Sequence, residues 1–354
     1  MELDKEQKLA VETKKRNVLV ASCPGSGKTR CLTERLKFLL NNNENPTKIF
    51  AITYTNAAAQ EMRNRVDSQN VFIGTIHSLA NRILILNGID TSDYLKDEEF
   101  DMLFNLLSNK ELEIPEVDHL LVDEFQDVNE NEYYFITNIL KPKNFFYCGD
   151  SCQSIFSYGG SNYKYFMDIL NDPFTTSFQL KNNYRCGKEI IDFANIFLEG
   201  MYDVYRVFGE CKSGIIGEVE KIPFSLHQIL SYFSEKDYKD WFILCRTNAQ
   251  IEQITSFLTK NNIPCVNFKQ SELSYSKLKE TINSEQVKVL TIHSAKGLEN
   301  KNVLVIGAKT WNAEEKRICY VAATRAKEKL IWMTEPQRRK KSNYNMQNWG
   351  GVRK

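Results

Sequence analysis

The chain has 354 residues, 42% hydrophobic and 26% charged, and its 46 Lys and Arg nearly cancel its 45 Asp and Glu to leave a formal net charge of +1. This composition excludes wholesale disorder, and the near-neutral balance excludes a protein that coats nucleic acid by charge alone, so such a partner must be gripped in a local groove. No apolar run approaches the roughly 20 residues of a membrane span, and the N-terminal MELDKEQKLAVETKKRN has no signal-peptide core. The nine cysteines are odd in number and scattered without CxxC pairs, which reads as reduced thiols. A cytoplasmic, unsecreted protein without a membrane association is expected. His77, His119, His227 and His293 do not sit at ligand spacing from cysteines, so no structural metal is expected.

In chain order, an apolar run NVLVA (17–21) leads into CPGSGKT and then the helical pattern TRCLTERLKFLL. The run KIFAIT (48–53) precedes the helical NAAAQEMRNRV, and HLLVD (119–123) and FFYCGD (145–150) follow as strands. Pro173 and its Asn/Asp neighbours mark a break over Leu170 to Phe178. The pattern then restarts with DWFILCRT (240–247), the helical AQIEQITSFLTKNN, VKVLTIH (287–293) and NVLVIGA (302–308). YVAATRAKEKL reads as a helix carrying Arg325. Apolar strands alternating with helices imply an α/β fold with parallel sheets and helical crossovers. Two such units are expected, over 1–173 and 174–335, followed by a basic tail over 336–354 that is either solvated or a binding element.

The strongest chemical signal is ASCPGSGKTR. Phosphates need exposed N–H groups at a Gly-rich loop and a helix N-terminus, a positive charge from Lys28, and a hydroxyl from Thr29 that can ligate Mg²⁺. The strict GxxxxGK[ST] pattern fails only at its first position, Ser22. In LLVDEFQD (120–127), adjacent carboxylates stand at a strand end. Asp123 suits the metal, and Glu124 suits a general base that polarises water. Phosphoryl transfer also needs cations on the developing charge. Arg185 in NNYRCG and Arg325 in YVAATRAKEKL qualify by context, although each standing alone reads more readily as a surface ion pair. Both lie in the second unit, which places the nucleotide between the units.

Taken together, these motifs are similar to those of the UvrD/PcrA/Rep-like superfamily 1 DNA helicases and translocases, in the same order and over nearly the whole chain. LDKEQKLAV resembles the adenine-reading motif and ASCPGSGKTR the phosphate loop. ITYTNAAAQEM and IGTIHSLA resemble DNA-contacting motifs, and LLVDEFQD the metal and base motif. GDSCQSIFSYGG, NNYR, TIHSAKGLE and YVAATRAKEKL resemble the remaining ones. The resemblance implies two RecA-like P-loop NTPase domains with an ATP cleft between them, and ATP and Mg²⁺ as ligands. Gln7 would read the adenine edge and Tyr184 stack on the base. Ser22, Pro24, Gly25, Ser26, Gly27, Lys28, Thr29 and Arg30 would surround the phosphates, with Thr29 and Asp123 on Mg²⁺. Glu124 would be the base, Gln153 the γ-phosphate sensor, Arg185 and Arg325 the arginine fingers, and Glu299 a ribose contact. Tyr54, Thr55, Thr75, His77, Phe156, Tyr158 and His293 would line a single-strand track.

Aromatics suit a sequence-blind track because every base has a face to stack. With 21 phenylalanines and 16 tyrosines in the chain, Phe156 or Tyr54 alone reads more readily as core than as a DNA platform. His77 and His293 read equally as packed histidines. The chain departs from the resemblance at Cys23 beside Ser22, at Ala57 where lysine is common, at Ser157, Tyr158 and Gly159, and at Asn300 after Glu299. Only residues 81–119 and 263–286 stand where relatives insert accessory subdomains.

The expected function is therefore an ATP-dependent translocase on single-stranded DNA moving 3′→5′. Strand separation would be left to a protein partner, and RNA is tolerated by the same stacking logic. A monomer is expected. The alternative is a nucleotide-gated interaction module for a nuclease or replication partner.

Overall fold

The computed structural model describes residues 2–66, 70–96, 100–109, 111–156, 160, 162–233, 237–269 and 273–334. The first half is built on β1 (Asn17–Ser22), β2 (Ile49–Thr53), β3 (Phe72–Thr75), β4 (His119–Val122), β5 (Asn144–Gly149) and β6 (Thr176–Leu180). A short ladder, β7 (Asn182–Asn183) with β8 (Glu210–Cys211), leads into the second half. That half is built on β9 (Glu218–Pro223), β10 (Trp241–Cys245), β11 (Cys265–Asn267), β12 (Val287–Thr291), β13 (Asn300–Ile306) and β14 (Ala326–Thr334). The two six-stranded sheets run β3-β2-β4-β5-β1-β6 and β11-β12-β10-β13-β14-β9. All their pairings are parallel.

The central strands are continuous apolar runs because helices cover both faces of each sheet. Successive side chains point to opposite faces. Val18 and Val20 pack with Leu32 and Leu36 of the helix Lys28–Asn41. Leu19 and Ala21 pack on the other side with Leu79 and Ile83 of the helix Ile76–Leu86. In the second sheet Ile243 and Cys245 meet Ile254 and Leu258 of the helix Asn248–Lys260. Phe242 and Leu244 meet Ile190 and Ile318, from the helices Lys188–Leu198 and Ala313–Ala323. Among the described residues, no helix is long and apolar enough to cross a membrane.

Three expectations are corrected. The boundary at 173/174 falls ahead of β6, which pairs along β1 from Val18↔Thr176 to Ser22↔Leu180, so the first sheet continues to Leu180. The segment read as one helix through YVAATRAKEKL divides: the helix ends at Ala323, and β14 begins at Ala326. Arg325 therefore lies one residue past the helix cap Thr324, at the mouth of β14, and not on a helix. Strand β14 wins because its apolar half, Leu330 to Met333, fills the slot between β13 and β9.

Among the described residues, the two short segments hold little. Residues 81–119 finish the helix Ile76–Leu86 and add Ser92–Lys96 and Phe100–Asn109. Residues 263–286 hold β11 and the helix Tyr275–Asn283.

The crossover into the second half is tight. A Cβ added at Gly187 would lie 2.5 Å from the Gly217 Cα and 2.6 Å from its nitrogen, both backbone atoms that cannot rotate away. Gly187→Ala should therefore destabilise the second half by about 1–3 kcal/mol, the usual cost of overpacking. The check is a fall in the thermal unfolding midpoint.

Candidate functional site

The phosphate loop leaves β1 and enters the helix Lys28–Asn41 through Gly25 and Gly27, whose φ angles of 67° and 82° belong to the left-handed region where glycine is unstrained. Ser26 Oγ donates to the Cys23 carbonyl at 2.7 Å, and Ser22 Oγ donates to the Gly149 carbonyl at 3.1 Å. These bonds fix the loop against the ends of its own strand and of β5. Pro24 is buried beneath it, while Lys28, Thr29 and Arg30 on the first helical turn are half-buried. A glycine-rich loop entering a helix N-terminus is the backbone arrangement that anions need.

Thr29 Oγ1 donates to Asp123 Oδ2 at 2.6 Å. A hydroxyl and a buried carboxylate beside a phosphate loop are the oxygen-only donors that suit Mg²⁺, which takes few protein ligands alongside substrate phosphates. The residues present therefore fit that ion.

Glu124 has φ 54°, a left-handed backbone unusual for a residue of its size and a form of strain found at functional sites. Its Oε2 accepts from Gln126 Nε2 at 2.6 Å, and Gln126 Oε1 accepts the Asp150 N–H at 3.0 Å. Burial and the neighbouring Glu124 charge raise the Asp123 pKa. Burial also works to raise Glu124, but Lys28, Lys296 and the Gln126 hydrogen bond outweigh it and hold Glu124 ionised, as a general base must be. Burial would lower Lys28, yet the carboxylates of Glu124, Asp150 and Asp123 keep its pKa above the ordinary lysine value.

The second half closes this site. Asn183 Nδ2 donates to the Pro24 carbonyl at 2.6 Å, and the Tyr184 N–H donates to the Gly25 carbonyl at 3.0 Å. A Cβ on Gly25 would meet Arg185 Cβ at 2.6 Å, so the loop glycine also permits this approach. Arg185 pairs with Glu299 and donates to the Thr324 carbonyl at 3.3 Å. Arg325 is 1% exposed. Its Nη2 reaches Gln153 Oε1 at 3.3 Å, while its other nitrogens donate to the Val321 and Leu298 carbonyls. Gln153 Nε2 in turn donates to Asp150 Oδ2 at 2.7 Å. Burial and Arg185 push the Arg325 pKa down to about 10, so it remains charged at neutral pH. The structure thus brings together Lys28, Thr29, Asp123, Glu124, Gln153, Arg185, Glu299 and Arg325.

Some expected residues have other work. Gln7 is 2% exposed and its amide is engaged at both ends. Oε1 accepts the Asp4 N–H at 3.0 Å, and Nε2 donates to the Ser26 carbonyl at 2.8 Å, which clamps the loop. Tyr184 is half-exposed, and its hydroxyl donates to Asp4 Oδ2 at 2.6 Å. Glu299, expected at a ribose, joins Arg185 to Lys327.

Some of the aromatics expected on the track lie together. Tyr54, 43% exposed, stacks on Phe156 with centroids 5.5 Å apart and planes 13° apart, and His293 lies 6.1 Å from Phe156. Thr55 and Thr75 spend their hydroxyls as N-caps, accepting from Ala58 N and Ser78 N. His77 sits apart, between the rings of Phe100 and Phe104 and 3.5 Å from Glu132. Tyr158 lies outside the described residues, as do Ser157, Gly159 and the basic tail.

Sequence reasoning missed the link between the two sites. Lys296, inside TIHSAKGLE, pairs with Asp127 of DEFQD and donates to the Gln153 carbonyl at 2.7 Å. Its ammonium also lies 4.9 Å from the Phe156 ring centroid. Gln126, Asn183 and Asp4 were likewise missed. The signal available for Lys296 and Asp127 was one unassigned charge of each sign, in a motif from each half.

Residues 3–118 and 110–173 match the family model of the UvrD/REP helicase N-terminal domain, and residues 267–336 match that of the UvrD-like helicase C-terminal domain. The chain is similar to the ATP-dependent DNA helicase PcrA of Leuconostoc citreum, at 27% identity over 74% of this chain and 49% of that protein. It is similar at 26% identity to the PcrA proteins of Staphylococcus epidermidis and Staphylococcus aureus, over 74% of this chain and 50% of each. The chain spans about half the length of the curated relatives it matches.

Breaking a buried ion pair by removing one partner costs about 3–5 kcal/mol, because the other charge stays buried alone. Lys296→Met should lower the thermal midpoint accordingly, and Asp127→Asn in the same chain should recover much of the loss. A double-mutant cycle on those midpoints measures the coupling.

Proposed function

The chain belongs to the UvrD/PcrA/Rep-like superfamily 1 helicases, and we propose that it is an ATP-dependent translocase on single-stranded DNA. The observation that carries this reading is the meeting of Lys28, Glu124 and Gln153 from one half with Arg185 and Arg325 from the other, around the phosphate loop.

In this reading the loop amides and Lys28 hold the β- and γ-phosphates of ATP. Glu124 accepts a proton from the attacking water. Arg185 and Arg325 stabilise the charge that develops on the transferring phosphoryl group. Mg²⁺, held through Thr29 and Asp123, would neutralise phosphate charge. Arg185 leaves Glu299, and Gln153 exchanges its Arg325 contact, as the γ-phosphate takes their place. Hydrolysis removes that anion and returns both contacts, so the halves close and open once per cycle. Adenine readout by Gln7 requires its Ser26 contact to be exchanged, and Tyr184 supplies a ring for the base.

The cycle reaches the track through Lys296, which touches both the Gln153 carbonyl and the Phe156 ring. Tyr54, Phe156, Tyr158 and His293 hold bases by stacking, which supports single strands in preference to duplex. Movement 3′→5′ follows from the resemblance of TIHSAKGLE to that branch of the family. The short segments 81–119 and 263–286 support translocation in preference to autonomous unwinding, with a partner supplying strand separation. The replacement of arginines by Ser157 and Gly159 favours a second reading, in which ATP binding gates a protein contact with little stepping.

ATP hydrolysis should rise strongly with single-stranded DNA, and Glu124→Gln should cut it by about 10²–10⁴-fold, the usual contribution of a general base. A steady-state phosphate-release assay with and without an oligonucleotide measures both. Turnover indifferent to DNA sinks the translocase reading. Stopped-flow traces on strands labelled at either end decide polarity.

A further inference from the structure

We propose that Trp311 and Lys309 form an additional base-stacking step for the single strand, continuing the track along the second half beyond His293. The inference rests on the single-strand reading above and adds a site to it. Neither residue lies in the motifs that carried that reading.

The placement follows from the parallel sheet. Strands β12, β10 and β13 are neighbours in register, with Cys245 opposite both Thr291 and Ile306. Their C-terminal ends therefore open on one edge. His293 follows β12 by two residues, Arg246 follows β10 directly, and the loop 307–312 follows β13. Neighbouring strands lie about 4.8 Å apart, so the ends of β12 and β13 are separated by roughly 10 Å. Arg246 joins the two places. Its charge acts on the His293 imidazole, and its guanidinium donates to both Glu315 oxygens, at 3.3 and 2.9 Å, on the helix that starts after Trp311.

The chemistry of the loop suits a base. Trp311 is 78% exposed, and the Lys309 ammonium lies 4.2 Å from its ring centroid. An indole backed by a cation on one face can stack a base on the other while the cation answers the phosphate backbone. The platform is anchored. The Lys309 carbonyl accepts from the Cys319 thiol at 3.0 Å, and Asn312 caps the helix Ala313–Ala323 by accepting the Glu315 N–H at 2.8 Å. Gly307 turns the loop at φ 74°, and any Cβ there would meet Gln250 at 2.3 Å. A large apolar side chain held out on a fixed loop is ordered for contact without being used for packing.

The test is binding of a fluorescein-labelled oligothymidylate, followed by anisotropy. Trp311→Ala should weaken binding by roughly 5- to 150-fold, the equivalent of about 1–3 kcal/mol for one stacked base. Trp311→Phe, which keeps a ring, should retain most of the affinity, and Lys309→Ala should weaken binding and flatten its salt dependence. Phe174→Ala, an aromatic 82% exposed ahead of β6 on the opposite edge of the first sheet, should bind like the parent.

A second readout needs no loss of function. Trp241 and Trp332 are buried, so in a Trp349→Phe background the oligonucleotide should quench Trp311 emission directly. Unchanged emission, or Trp311→Ala affinity equal to the parent's, overturns the proposal while the parent still binds. A parent that does not bind the oligonucleotide overturns the single-strand reading itself.

Discussion

The two halves are tied by the buried contact of Lys296 with Asp127, and much of the site depends on it. Each side chain is less than a tenth exposed, so each charge needs the other. The pair draws TIHSAKGLE onto DEFQD. Lys296 thereby stands close enough to Glu124 to help keep it ionised and close enough to the Gln153 carbonyl to hold that residue in place. Around it Lys28, Lys296, Arg185 and Arg325 face Asp123, Glu124, Asp127, Asp150 and Glu299. Burial, against the pull of the cations, pushes Asp127 and Asp150 up to about 6. An arriving polyanion meets four cations of which two, Lys296 and Arg185, already have carboxylate partners. Exchange of the Arg185 partner gives a nucleotide site a means to alter how two domains sit together.

Much of the fold was legible in the sequence because covered parallel strands leave an unmistakable trace. NVLVA, FAIT, LLV and FILC are apolar on both faces, and each proved to be a strand. The failures have physical reasons. Strand β6, TSFQL, lies at the sheet edge and buries only its last residue fully, so it lacks that trace. The sequence AKEKL at the start of β14 has the composition of a helix, and its strand geometry comes from the place waiting beside β13 and β9. Arg325 was misplaced with it, and from the mouth of β14 its guanidinium reaches Gln153.

The candidate site was legible where one short segment holds a whole device, as in GSGKT and DEFQD. It was illegible where function rests on partners far apart in the chain. The sequence displays a lysine at 296 and an aspartate at 127 but nothing that pairs them. Thr55 and Thr75 show the converse. The resemblance placed both on a single-strand track; both precede helices and their hydroxyls serve as caps, a local use visible once the helix starts are known. Gln7 was expected to face a ligand, and here its amide completes a capping box and fastens the loop.

The edge position of β6 also bears on how the chain can be divided. Strand β1 lies between β5 and β6, and β6 alone covers its outer side. A cut at the composition break near Pro173 would leave the first half with the outer edge of β1 bare, offering a row of unpaired amides and carbonyls to any passing strand. The same cut would send β6 away attached to the wrong partner. Residues 174–180 belong to the folding unit that precedes them, and the chain leaves that unit only as it reaches Asn182 to Arg185, where it immediately touches the phosphate loop. The passage between the halves is therefore itself part of the site.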